Sequence, residues 1–268
     1  MSAALPTPLL EDAFSRVLPL RDYRPDDFVI TRLPGYTNHS FRLQNIHQDW
    51  VLRIPKPDTD AFIDRGAEAC NQAQAARLGL APTTIWSDHS GLSLSAMLPG
   101  EGLRPCDLSK PKQRLAIVRA LSRLHGSEHR FRDHVDLAAL ISRYYQLTPV
   151  AAQRGLRTRW QQAQQSLAWL DGRDLPQGPS HNDLILENLI WDDPQLWILD
   201  WEFSAMASPY WDLATLCNSA QLTASQATAL MHDYDAGNRL MDASVLSVYR
   251  ELIRLLGDCW MSALVPQS

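Results

Sequence analysis

With 268 residues, 45% of them hydrophobic and 21% charged, the chain has ordinary globular usage and length enough for one large domain or two lobes around a buried core. A formal net charge of -5 and a pI near 5.9 argue against a nucleic-acid partner or an anionic membrane surface. The four cysteines, Cys70, Cys106, Cys217 and Cys259, are far apart and form no Cys-x-x-Cys pair, which speaks against a zinc cluster or a redox motif and for buried free thiols in a reducing compartment. Residues 1–10 lack a basic segment followed by an apolar core. No later run approaches the roughly 18 apolar residues of a membrane span. The expectation is a cytoplasmic protein with no membrane insertion.

Taken in order, Thr7 to Leu18 has helical spacing of Leu9, Leu10, Phe14, Val17 and Leu18, closed by Pro19. A strand-rich region follows: Phe28 to Leu33, a polar turn Pro34-Gly35-Tyr36-Thr37-Asn38, Ser40 to Ile46, and Trp50 to Ile54 ended by Pro55. A hairpin with Gly35 at its tip is compatible with a flap over phosphates, and equally with an ordinary tight turn. Asp60 to Leu78 reads as a helix carrying Asp64, Arg65 and Glu68 and stopping at Gly79. Arg53 on the third strand could pair with Glu68 on this helix, with Lys56 as the competitor for Arg53's role. Two short strands, Thr83 to Trp86 and Leu92 to Met97, lead to Leu98-Pro99-Gly100-Glu101-Gly102, the candidate linker between lobes.

Beyond Ser109 the periodicity is helical. Leu115, Val118, Leu121 and Leu124 share one face of a helix ending at Gly126, where His125 reads as a packed or capping residue. Asp136 to Leu147, Arg154 to Leu170, Pro209 to Ala220, Ser225 to Tyr234 and Asp242 to Trp260 are further helices. The last has an apolar stripe of Met241, Val245, Val248, Leu252, Leu255, Leu256 and Cys259, which reads as core. The outcome is an α+β fold of two lobes, protein-kinase-like in outline. A small antiparallel-sheet lobe for nucleotide (residues 1–98) precedes a larger helical lobe for catalysis and substrate (residues 99–268).

The chain's most informative stretch runs from His181 to Glu202. Two carboxylates, Asp183 and Asp200, bracket the carboxamide of Asn188, with β-prone residues around the turn Asp192-Asp193-Pro194 between them. A hairpin there would bring Asn188 and Asp200 together at its open end. A base-like Asp, an Asn shortly after it and a second Asp beyond a hairpin is the layout of a phosphotransfer site.

On these residues the chain resembles the choline kinase branch of the aminoglycoside phosphotransferase and choline kinase superfamily. The match is carried by His181-Asn182-Asp183-Leu184 with Asn188, by Ile198-Leu199-Asp200-Trp201-Glu202, and by Pro209-Tyr210-Trp211-Asp212-Leu213-Ala214. Upstream, Gly35-Tyr36-Thr37-Asn38 resembles the flap of bacterial choline kinases and Val51 to Pro55 their third strand, where Arg is usual. Ile63-Asp64-Arg65 with Glu68, then Leu78 to Pro82, resembles the following helix and turn. The resemblance implies ATP and Mg²⁺ as cofactors and the hydroxyl of a small molecule as acceptor, with no nucleic acid involved. The oligomeric state stays open.

It also implies roles. Asp183 accepts the proton of the acceptor hydroxyl, while Asn188 and Asp200 hold metal. Gly35, Thr37, Asn38, Arg53, Glu68 and Met97 contact nucleotide. Glu202, Tyr210, Trp211 and Trp260 line the acceptor, although Glu202 could instead serve the metal or anchor the Asp200 loop. His181 braces the loop. Choline or ethanolamine lead as acceptors because a cationic ammonium calls for aromatic rings and a carboxylate, and the chain has nine Trp. One departure stands against them: where such enzymes place a Glu two turns after the Asp of the Pro-Tyr-Trp-Asp motif, this chain has Leu216-Cys217-Asn218-Ser219. Glu202, Asp233 or Asp258 would have to substitute. Thiamine, an aminoglycoside or a sugar are the alternatives, an aminoglycoside calling on Asp233, Asp235, Asp242, Glu251 and Asp258. A non-catalytic nucleotide-binding module is the alternative outside enzymes.

Overall fold

Period-two patterning in the first third of the chain gives each strand one apolar face, and those faces have a single place to go. In the computed structural model, which describes residues 7–35, 37–57, 63–235 and 241–264, five strands form one antiparallel sheet in the order β1-β2-β3-β5-β4. They are β1 (Val29–Leu33), β2 (Asn38–Gln44), β3 (Asp49–Pro55), β4 (Thr84–Ser87) and β5 (Ser93–Ala96). Phe41, Leu43, Leu52 and Leu94 are fully buried, and helix α1 (Thr7–Arg16) closes over them through Leu10 and Phe14, with Val17 just beyond its end. β2 stops at Gln44, two residues before Ile46. Asn45 turns the chain by accepting the amides of His47 and Gln48, each at 2.8 Å, which leaves Ile46 92% exposed.

Helix α2 (Arg65–Arg77) begins later than Asp60 because Asp64 caps it, accepting the amide of Ala67 at 2.9 Å; Asp60 to Phe62 lie outside the described residues. Its buried residue Asn71 donates to the carbonyl of Ser204 at 2.8 Å, and Gln74 donates to the carbonyl of Arg130. Leu80 and Ala81, just beyond its C-terminus, are buried in the larger core. Helix α2 is therefore tied to the helical lobe through Asn71 and Gln74 and to the sheet through Gln72, which donates to Thr84 of β4 at 3.2 Å.

That larger core is built by α3 (Pro111–His125), α4 (Leu137–Leu147), α5 (Val150–Leu170), α6 (Pro209–Ser219), α7 (Ala224–Asp235) and α8 (Ala243–Leu264). Helix α8 packs against α4, α5 and α6, burying Val245, Leu252, Leu255 and Cys259. Two expectations shift. Leu115 is 46% exposed, and the buried face of α3 is Ile117, Val118, Leu121 and Leu124. Helix α5 starts at Val150, directly after Pro149, four residues before Arg154. No described helix is long and apolar enough to cross a membrane.

Small strands join the linker and the central loops. β6 (Glu101–Gly102) pairs with β8 (Leu189–Asp192), which forms a hairpin with β9 (Gln195–Ile198), while β7 (Gly178–Ser180) pairs with β10 (Ala205–Ala207). Gly178 passes so close to α3 that a Cβ would lie 2.5 Å from the carbonyl oxygen of His125. Because that neighbour is backbone, Gly178→Ala should cost about 1–3 kcal/mol. It should appear as a Tm lowered by roughly 2–4 °C per kcal/mol; an unchanged Tm would show that β7 shifts without penalty.

Candidate active site

The β8–β9 hairpin does what its sequence spacing suggests. Leu189 faces Ile198 across the ladder, and beyond it the amide of Leu199 donates to the carbonyl of Asn188 at 2.8 Å, so Asn188 and the Leu199–Asp200 segment meet at the open end. Asn188 Nδ2 donates to the backbone oxygen of Asp183 at 2.9 Å and to its carboxylate at 3.3 Å. The amide oxygen of Asn188 is thereby the atom left to face a cation. Asn182 and Asp200 take left-handed backbone conformations, with φ of 63° and 61°. Such conformations are uncommon outside glycine and persist where surrounding structure enforces them.

What enforces them is visible. His181 is buried, its Nε2 donating to the carbonyl of Leu199 at 2.8 Å while Nδ1 accepts the amide of Asp183 at 3.3 Å. One imidazole thus clips the loop that holds Asp183 to the strand end that leads into Asp200. Beneath it lies the carboxylate of Asp212, on the first turn of α6 and wholly buried. It accepts the backbone amides of His181 at 2.8 Å and Asn182 at 2.7 Å, and the ring Nε2 of His125 at 2.9 Å. His125 Nδ1 in turn meets the hydroxyl of Tyr234 at 2.9 Å. Burial alone would push Asp212 up; the hydrogen bonds from His125 and from the backbone amide of His181 outweigh it and hold the carboxyl below its ordinary range.

From the sheet, Arg53 reaches into the cleft. Its guanidinium bonds Glu68 of α2 and lies 3.2 Å from Asp200. Arg65, at the start of α2, donates to the other oxygen of Glu68 at 2.9 Å and stands 3.5 Å from Glu202. Burial would lower the affinity of Arg53 for its proton, but Glu68 and Asp200 raise it above the usual value. Lys56 lies apart, reaching the carbonyl of Gly35 at 3.3 Å. Three carboxylates (Glu68, Asp200, Glu202) face two guanidiniums, a formal surplus of one negative charge, and Asp183 adds another carboxylate near Asp200.

Carboxylate oxygens of Glu68, Asp200 and Glu202 lie within 4.8 Å of one another. Hard oxygen donors with excess negative charge are what a hard divalent cation requires, so the residues fit one. The crowding shows in their protonation. Burial, with negative neighbours adding to it, raises Asp183 and Asp200, and pushes Glu202 to about 7.

The remaining candidate residues are more dispersed. Gly35 forms a tight turn in which a Cβ would lie 2.9 Å from the carbonyl oxygen of Asn38; Tyr36 lies outside the described residues. Thr37 and Asn38 are buried with their side chains on Glu202. Met97 is half-buried at the end of the sheet, its amide on the carbonyl of Asp49. Tyr210 and Trp211 are packed in the core, the Tyr210 hydroxyl accepting the amide of Asp242 and the Trp211 indole donating to the carbonyl of Asn182. Both are thus supports of the loop and of α8 rather than open walls. Trp260 is half-buried and makes edge-to-face contacts with Tyr144 (5.4 Å) and Phe203 (5.7 Å).

Ser219 and Asn218, in the stretch where the resemblance calls for an acid, are spent on structure. Ser219 Oγ accepts the amide of Leu186, and Asn218 exchanges hydrogen bonds with Arg250. Two of the substitutes proposed for that acid are paired elsewhere, Asp233 with Arg114 and Asp258 with Arg159. The structure adds Arg65, Asp212, Tyr144 and Phe203 to the candidate residues. Asp212 stood inside a recognised motif, and its invisible part was the partner; Arg65 sat three residues from Glu68, a helical spacing that does signal an ion pair.

Three comparisons bear on the family and the fold. Residues 29–244 match the profile of the phosphotransferase enzyme family. The protein LicA of Haemophilus influenzae is 30% identical over 211 residues, which cover 75% of this chain and 60% of that relative. The structure of a choline/ethanolamine kinase family protein from Mesorhizobium loti superposes with a TM-score of 0.77 at 27% identity, covering 93% of this chain and 83% of that one. The choline kinase LicA of Streptococcus pneumoniae shares the fold, with a TM-score of 0.76 at 22% identity over 88% of this chain and 85% of its own. With its profile match spanning most of its length, this chain belongs to the phosphotransferase enzyme family.

Proposed function

We propose that the protein is an ATP-dependent kinase that transfers the γ-phosphate to the hydroxyl of a small amino alcohol, choline first and ethanolamine next. The observation that carries this reading is the meeting of Asp183, Asn188 and Asp200 beside the Arg53–Glu68 pair. Phosphoryl transfer through a loose transition state asks for positioning and charge neutralisation more than for covalent help. Asp183 is the base: it holds the acceptor hydroxyl in line and takes its proton. Because burial raises its pKa, it binds that proton more readily than an exposed carboxylate would. Arg53 is the phosphate clamp, its planar guanidinium fixed in direction by Glu68. Asp200 and Asn188, with Glu68 and Glu202 near Asp200, would hold Mg²⁺, which would supply positive charge to neutralise the phosphate oxygens.

The acceptor reading rests on Trp260 with Tyr144 and Phe203, and on the kinship of the Mesorhizobium protein. The carbonyl of Phe203 accepts Asn182 Nδ2 at 3.0 Å, so this aromatic group is anchored to the residue beside Asp183. Ring faces attract an ammonium group, more strongly as water is excluded. An aminoglycoside is disfavoured, since Asp233, Glu251 and Asp258 are each paired with an Arg and Asp242 is spent on Ser244.

An ATP-consumption assay over choline, ethanolamine, thiamine, a sugar and an aminoglycoside tests the reading. Turnover with choline or ethanolamine is expected. Turnover with another acceptor alone would overturn the acceptor assignment, and turnover with none would overturn the kinase. Metal binding should also depend on pH. Asp200 and Glu202 hold protons more tightly than ordinary carboxylates, Glu202 up to about 7, and a protonated carboxyl is no ligand. The Mg²⁺ affinity measured by calorimetry should therefore strengthen as pH rises from about 6 to 8; a flat profile would remove these carboxylates from the metal site.

A further inference from the structure

The turn between β1 and β2 does not end in open cleft. Its two polar side chains cross to the other lobe and converge on one oxygen: Glu202 Oε2 accepts Thr37 Oγ1 at 3.1 Å and Asn38 Nδ2 at 3.2 Å. Arg65 stands 3.5 Å from the same atom, and Asn38 Nδ2 also lies 3.0 Å from Thr37 Oγ1. Thr37, Asn38 and Glu202 are 6%, 4% and 7% exposed, so these bonds are made out of water, where a charged acceptor is worth most.

The orientation of Asn38 is informative. Its Oδ1 is buried and takes no hydrogen bond, an arrangement that is costly unless the amide nitrogen gains more on the other side. The backbone prepares the contact as well. Asn38 faces Pro55 in the β2–β3 ladder, the amide of Lys56 donates to the carbonyl of Thr37 at 3.1 Å, and Gly35 permits the sharp return over Asn38. The turn is fixed to the sheet at its base and tied to the catalytic lobe at its side chains.

We propose that Glu202 is an interlobe latch: its carboxylate holds the Thr37–Asn38 turn closed over the cleft that contains Arg53 and Asp200, making Thr37, Asn38 and Glu202 positioning residues for the nucleotide. This rests on the nucleotide site proposed above. It moves Glu202 away from the acceptor and makes the two turn residues act through it instead of by touching phosphate.

A double-mutant cycle between Asn38→Ala and Glu202→Ala tests it, read as dissociation of a fluorescent methylanthraniloyl-ADP with Mg²⁺ in stopped flow. Each single change should speed dissociation about tenfold, as loss of charge-assisted hydrogen bonds implies. Asn38→Ala added to Glu202→Ala should change it less than about threefold more, because the bond is already gone. Glu202→Gln, which keeps an acceptor oxygen, should recover part of the loss, and Glu202→Met, which fills the space without an acceptor oxygen, supplies the cycle if Glu202→Ala does not fold. Thr37→Val in the wild-type background should act in the same direction as Asn38→Ala. The choline KM should stay unchanged.

Multiplying effects of Asn38→Ala and the Glu202 change would overturn the latch. So would a raised choline KM with unaltered nucleotide release, which would return Glu202 to the acceptor. Failure of the wild-type protein to bind the labelled nucleotide at all would overturn the kinase reading itself, an outcome distinct from either.

Discussion

Asp183→Asn is expected to lower kcat by about a hundred- to ten-thousand-fold, the range general-base catalysis contributes. Nucleotide affinity should stay within about twofold, since Arg53, Glu68 and Asp200 are untouched. The substitution is nearly isosteric, and its amide oxygen can keep the bond from Asn188 Nδ2. Stability should not fall. A carboxyl whose folded pKa is raised contributes stability that is fully present below its unfolded pKa and lost as pH rises through the folded value, so at neutral pH its ionised form is a net cost. Asn carries no such cost. Steady-state kinetics, nucleotide titration and a thermal melt at pH 7 separate these statements. A kcat within tenfold of wild type would remove Asp183 from the chemistry.

Asp212→Ala should do its damage without touching substrate. The carboxylate is wholly buried and takes three donors, two of them backbone amides of the loop that presents Asp183. Removing it orphans the amides of His181 and Asn182 and leaves His125 without its acceptor. A loss of about 3–5 kcal/mol follows for breaking a buried charged network of this kind. The pH dependence carries the sign of a depressed carboxyl: the stability is present above the unfolded carboxylate pKa and is lost as pH falls through the lower folded value. The wild-type protein should therefore lose more stability than the variant on acidification below about pH 4. Denaturant melts of both proteins between pH 7 and pH 3 check this. A variant as stable as wild type at pH 7 would mean that the loop does not depend on Asp212.

The outline of the fold was legible because its elements repeat a short period over enough residues. Alternation from Ser40 through Ile54 and the apolar stripe of α8 each supply several matches to one template. The pairing of β7 with β10 was not legible. Each has three residues, one begins with Gly178-Pro179, and neither offers a pattern to read. Leu115 misled for a related reason, since spacing defines a face and only the neighbours decide how far round the helix burial extends.

At the site, Asp183, Asn188 and Asp200 announced themselves because a hairpin is a local device that converts spacing into proximity. The contacts that cross between lobes could not be read in that way. Glu202 and Thr37 are 165 residues apart in sequence and meet only because of how the sheet sits on the helices. Tyr210 and Trp211 show the converse. Aromatic residues in a motif suggested an acceptor wall, but their polar atoms face Asp242 and Asn182, and core packing explains them.

The ties of α2 to both lobes have a mechanical consequence. Asn71, Gln74, Leu80 and Ala81 moor that helix to the larger body, while Gln72 ties it to Thr84 of β4 and Glu68 ties it to Arg53 of β3. Arg53 is the point on the sheet that bears on Glu68. The same guanidinium also reaches Asp200, so one side chain joins the sheet, helix α2 and the loop beyond β9 at a single point.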